Sequence, residues 1–160
     1  MKYLKMIPFV LVCLLMMGAR TKEIRLTEGI QPGNLAPGIY RQDINLKGNK
    51  FVVLQFWAAY DAYSRMINAQ MHNVISHLDS DDIRLISVSL DENEAVFEGI
   101  VKTEQLNPAT QFNDPRGKKS EIFKVYRLKS GFNNWLINPE GVIVAKNLNP
   151  KEISGYIRPL

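Results

Sequence analysis

Asp61 and Ser64 stand three residues apart where the apolar run Phe51 to Phe56 gives way to an amphipathic stretch, which puts both in the first turn of a helix. A carboxylate and a hydroxyl at such a place could include a serine nucleophile, or satisfy the free N–H groups of the helix start. A serine nucleophile needs a base within hydrogen-bond reach. The only histidines, His72 and His77, lie two or more turns further along the same helix, and their i, i+5 spacing keeps them off a common face. Neither a Ser-His pair nor a histidine metal site follows, and no metal or other cofactor is expected. Asp61 reads as a helix N-cap, worth about 0.5–2 kcal/mol over alanine. Ser64 shares the hydrogen bonds of the same turn.

Other acidic groups offer less. Asp91 and Glu92 close a β-prone run and are expected to cap the helix after it. The acidic group Asp79 to Asp82 lacks the spacing and the glycine of a calcium loop. Basic residues form no dense stripe with interleaved aromatics, and Lys118-Lys119 beside Arg116 reads as a solvated helix start, so nucleic acid is not an expected partner.

The elements that position these residues can be read from periodicity. Phe51 to Phe56 is a strand buried on both faces. From Asp61 to Leu78, the residues Met66, Ile67, Met71, Val74, Ile75 and Leu78 recur at spacings of three and four and predict a helix with one buried stripe. Ile83 to Leu90 is a second strand, Glu94 to Glu104 a second helix and Lys118 to Tyr126 a third. Asn134 to Ile137 and Val142 to Ala145 flank the turn signal Asn138-Pro139-Glu140-Gly141 and predict a hairpin. Asn149-Pro150-Lys151-Glu152 then opens a last helix with an N-cap, a proline at the first position and an acidic first turn. This order predicts an α/β fold with a central mixed sheet and helices on both faces, in three layers.

At 160 residues, the chain is long enough for one well-buried domain and too short for two ordinary ones. Lys2 and Lys5 precede an apolar stretch, Met6 to Ala19, of signal-peptide length, short of the roughly 20 residues a bilayer span needs. Residues 1–19 are therefore expected to be a signal peptide or an uncleaved membrane anchor, 20–48 an extended lead-in with short strand pieces at Ile24 to Leu26 and Ile39-Tyr40, and 49–160 the domain proper. Export to the periplasm or cell envelope is the expected localisation. Cleavage after Ala19 removes two lysines and lowers the formal charge from +4 to +2. It also removes Cys13, the only cysteine, so the mature chain has no thiol and no disulfide.

Several segments carry a family resemblance. Gly33-Asn34-Leu35-Ala36-Pro37, Phe56-Trp57-Ala58, Val88-Ser89-Leu90-Asp91-Glu92 and Trp135-Leu136-Ile137-Asn138-Pro139-Glu140-Gly141 follow one another in an order and spacing that resemble the TlpA/ResA-like branch of the thioredoxin superfamily, envelope proteins related to redoxins. The resemblance covers about Gly33 to Ile157 and implies a thioredoxin-like fold. Aligning Trp57-Ala58-Ala59-Tyr60 with the family's Trp-Ala-x-Trp puts Asp61 and Ser64 at the two cysteines of CxxC, with Arg65 matching the arginine that often follows. Neither side chain can form or attack a disulfide. Counting back from Leu136-Ile137 puts Phe132 where the family carries a proline in cis; a non-proline cis bond costs about 2.5–4 kcal/mol, so a trans peptide is expected.

The resemblance also implies that Tyr60 and Tyr63 lie on an exposed loop, where with Trp57, Asp61 and Phe132 they would form a rim around the former redox site. Such a rim could hold a peptide or a partner protein of the cell envelope, or the rings could fill space left by the cysteines and the proline. A non-catalytic binding module is the leading expectation. The alternative is a redoxin-like thiol-disulfide oxidoreductase or peroxidase that works with a partner's thiol.

Overall fold

A computed structural model describes residues 26–39, 44–78 and 81–157. The leader expected over residues 1–19, and Ile24 and Tyr40 of the expected strand pieces, lie outside the described residues. Five strands form one mixed sheet. β1 (Phe51–Trp57) lies at its centre, parallel to β2 (Ile83–Ser89), which in turn is parallel to β3 (Gln111–Asn113). On its other side β1 pairs antiparallel with β4 (Asn134–Ile137), and β4 with β5 (Ile143–Lys146), giving the order β3-β2-β1-β4-β5.

The sheet has a core on each face. Val52, Leu54 and Phe56 of β1 join Ile86, Val88, Trp135, Ile137 and Ile143 on one face, covered by Ile122 and Tyr126 of the helical region before β4 and by Ile30, Ile39, Ile44 and Leu46 of the lead-in. Val53, Leu85 and Leu136 point the other way, against Met71 of α1 (Ala62–Ser76), Leu148, and Ile153 of α4 (Ile153–Ile157). Helices therefore cover both faces, as the sequence predicts. The β1 residues Val52, Val53, Leu54 and Phe56 are fully buried; burial of one such side chain is worth about 1.5–3 kcal/mol, which explains the near-continuous apolar run.

Two long-range bonds tie the lead-in to this core. Tyr126 Oη donates to the Pro37 carbonyl at 2.6 Å, and Trp135 Nε1 to that of Ile30 at 3.0 Å. Burial, and secondarily the charge of Glu28, push the Tyr126 phenol well above the ordinary tyrosine value, so it remains a donor. Among the described residues the lead-in carries only isolated bridges, Glu28 to Leu35 and Leu35 to Val142.

Three expectations need correction. The helix expected over Lys118 to Tyr126 is a 3-10 turn, Gly117–Lys119, followed by α3 (Glu121–Val125), because Ser120 is extended and its hydroxyl caps the new helix by accepting from Ile122 N–H at 3.1 Å. Met66 belongs to the exposed side of α1, while Ser64 and Asn68 are buried with Met71. Asn68 is paid back by a polar network: its amide donates to Gln111 Oε1 at 3.1 Å and its carbonyl accepts from Ser87 Oγ at 2.5 Å. Finally, α2 (Glu94–Thr103) is capped by Asn93, which accepts from Ala95 N–H, and not by Asp91 or Glu92.

Candidate functional site

The C-terminal end of β1 delivers Ala58 to Tyr60 into a short loop that ends at the head of α1. Asp61 is the N-cap: its Oδ1 accepts from Ser64 N–H at 2.8 Å, and its carbonyl accepts both Arg65 N–H at 3.1 Å and Ser64 Oγ at 3.1 Å. Ser64 is 1% exposed and its hydroxyl also faces Ala58 N–H at 3.4 Å. The hydroxyl is thus enclosed and already donates to a backbone carbonyl. Asp61 and Ser64 thus work together in structure, as the first turn of α1.

The loop is held from a second side by Asp91, in the connection from β2 to α2. Its carboxylate accepts from Ala59 N–H at 3.0 and 2.9 Å and from Ser89 Oγ at 2.7 Å, and it is buried. Its place in sequence predicts a helix cap for Asp91; only the parallel register of β1 with β2, which sets Trp57 beside Ser89, brings it to this loop.

The five rim residues do not all share one surface. Tyr60 and Tyr63 are 61% and 68% exposed. Phe132 is half-buried, with its ring centroid 6.2 Å from that of Tyr60. Gly131, at φ 131°, lets the chain turn into Phe132, whose preceding peptide is trans. Trp57, in contrast, is fully buried against Val101, Leu106 and Phe97 and does not belong to the rim. Its place follows from strand alternation, which sends Trp57 with Val53 and Gln55 to the α1 face of the sheet.

Phe132 separates two concavities. Tyr63, Gln55, Asn133, Asn134 and Asn147 line a small polar cleft of about 160 Å³. Tyr60, Asp61, Lys118, Phe123, Leu128 and Phe132 line a more apolar hollow of about 370 Å³. Lys118 Nζ lies 5.7 Å from the Tyr60 ring centroid, a cation–π contact between residues far apart in sequence for which no local signal exists. Partial burial, followed by the charges of Asp91, Asp61 and Glu92, raises the Tyr60 phenol above the ordinary tyrosine value, so it is neutral and can donate.

The histidines lie elsewhere on α1. His77 Nδ1 is 2.7 Å from the Asn73 carbonyl, and burial with the nearby His77 lowers His72 below the ordinary histidine value. Among the described residues no group of three or more His, Cys, Asp or Glu side chains could hold a metal ion.

A crystal structure of a thioredoxin-like protein from Parabacteroides distasonis is similar over 82% of this chain and 98% of its own length, with a TM-score of 0.79 and 42% sequence identity. The chain belongs to the thioredoxin-like family. The C-terminal domain of a candidate thiol-disulfide oxidoreductase from Bacteroides thetaiotaomicron is similar over 69% of this chain and 76% of its own, at 26% identity and a TM-score of 0.60. A thiol-disulfide oxidoreductase from Bacteroides fragilis shares the fold over 69% of this chain and 80% of its own, at 24% identity and a TM-score of 0.60. No protein-family model and no curated protein matches the chain. The fold is thus thioredoxin-like and similar to that of thiol-disulfide oxidoreductases, and Cys13 is the only cysteine of the sequence.

Proposed function

We propose that this thioredoxin-like chain is an exported, non-catalytic binding module of the cell envelope, which holds a peptide or partner protein on the surface formed by Tyr60, Tyr63, Asp61 and Phe132. The observation that carries this reading is the head of α1. Where the family resemblance puts the two redox cysteines, Asp61 caps the helix and Ser64 is sealed beneath it. The side chains there satisfy the helix start and leave no group that can exchange with a disulfide. Around them, two large rings remain exposed beside a half-buried third, which supports contact with a partner: rigid aromatic area is obtained at low entropic cost.

The test is an affinity pull-down from envelope extract with the mature domain, set against a Tyr60→Ala, Tyr63→Ala variant of equal thermal stability. A partner retained by the first and lost by the second is the expected result. The same partners with both proteins, or none with either, would overturn the reading and leave the rings as packing.

A further inference from the structure

Tyr60 stands between two hollows of nearly equal size. One, of about 380 Å³, is lined by Leu90, Asp91, Glu92, Asn93 and Val96; the other, of about 370 Å³, by Asp61, Phe123, Leu128, Lys129 and Phe132. Tyr60 and Lys118 border both. Apart from the shared Lys118, the first carries two carboxylates, and the second one lysine against one carboxylate. With Lys118 counted in each, the first hollow is net negative and the second net positive. Their opposite signs distinguish the ligands they can accept.

The second hollow combines three features. Its wall of Phe123, Leu128 and Phe132 is apolar. Its two lysines are exposed, and among the described residues neither is ion-paired with a carboxylate. Its one carboxylate, Asp61, is already engaged by Ser64 N–H at 2.8 Å. An apolar recess edged by two lysines without a carboxylate partner among the described residues, one of them over the Tyr60 ring, matches a ligand with the reverse polarity: an apolar body next to a negative group. We infer that this hollow docks an extended segment of a partner protein in which an aromatic or large aliphatic residue is followed by Asp or Glu. The apolar side chain enters against Phe123, Leu128 and Phe132, and the carboxylate meets Lys118 and Lys129. Burial in the recess supplies most of the affinity and the lysines supply the choice of neighbour. This inference rests on the binding role proposed above and names the chemistry of the partner.

The test uses the full chain and two synthetic peptides with acetylated and amidated ends, one with a Phe-Glu pair and one with a Phe-Lys pair in the same glycine-serine background. The Phe-Glu peptide should bind about fivefold more tightly at low salt, the scale expected of two exposed ion pairs, and the gap should narrow as salt is raised. K118E with K129E should reverse the order, and Tyr60→Ala should weaken both peptides. Equal binding of the two peptides, lost in Tyr60→Ala, would overturn the acidic preference while leaving the binding role standing. Binding that Tyr60→Ala does not change, or no binding of either peptide, would overturn the docking site itself.

Discussion

Removal of the Asp91 carboxylate should loosen the loop that carries Tyr60, and the size of the effect follows from its bonds. In Asp91→Ala, Ala59 N–H loses an acceptor it holds at 2.9 and 3.0 Å, and Ser89 Oγ loses one at 2.7 Å. A hydrogen bond to a charged group contributes about 1.5–3 kcal/mol, and an orphaned buried donor carries its own penalty. Ala59 is only half-buried, so water recovers part of the loss. The expected destabilisation is about 2 kcal/mol, or a fall in melting temperature of about 4–8 °C for a domain of this size. Asp91→Asn keeps one acceptor and should lose about half as much. Urea unfolding should show a lower midpoint with an unchanged slope, and the Ala59 amide should exchange faster with solvent than it does in the wild type, with amides in the middle of β1 less affected. Stability within about 0.5 kcal/mol of the wild type, with Ala59 exchange unaltered, would refute the claim that Asp91 holds the loop.

Three further perturbations probe the same region. Asp61→Ala should cost about 1 kcal/mol through loss of the α1 cap, and Asp61→Asn much less, as measured by chemical denaturation. Asp114 is buried: burial alone would raise its carboxyl, but hydrogen bonds from Arg116 and Ser120, with the Arg116 charge, outweigh this and hold it below the ordinary carboxylate value of 3.8. A depressed folded value stabilises the protein above the unfolded value and is lost as pH falls through the folded one. The stability difference between wild type and Asp114→Asn should therefore be full at neutral pH and shrink only as pH falls below about 3.8, as read from unfolding curves across pH. Asp61→Cys with Ser64→Cys should form an intramolecular disulfide, seen as loss of free thiol without dimer, and should reduce a test protein disulfide above the wild-type blank. Absence of any gain would contradict a retained family geometry at the head of α1 and point to the Phe132 segment.

Much of the fold could be read locally. β1 announces itself as a run of β-prone apolar residues, the β4–β5 hairpin through Asn138-Pro139-Glu140-Gly141, and the last helical region through Asn149-Pro150. β3 has only three residues and a single apolar side chain, Phe112, so no periodicity could reveal it. On α1, apolar spacing points to Met66 for the buried face, whereas the buried positions next to Met71 are the polar Ser64, which bonds within its own turn, and Asn68, whose partners on β2 and β3 are visible only once the sheet is assembled. The same distinction divides the site. Asp61 as a cap is a local property and was legible. Asp91 reaching Ala59, and Lys118 reaching Tyr60, depend on tertiary placement and were not. Trp57 is an intermediate case: the strand alternation that buries it was present in the sequence, but the loop resemblance suggested exposure instead.

The most direct test of the binding role uses photo-crosslinking in cells that produce the full chain. A photoreactive phenylalanine analogue replaces Tyr60 in one variant and, as a control, Val144, an exposed position on β5, in another. A discrete protein adduct formed from position 60 and absent from position 144 is the predicted result. No adduct from position 60, or the same adducts from both positions, would contradict it.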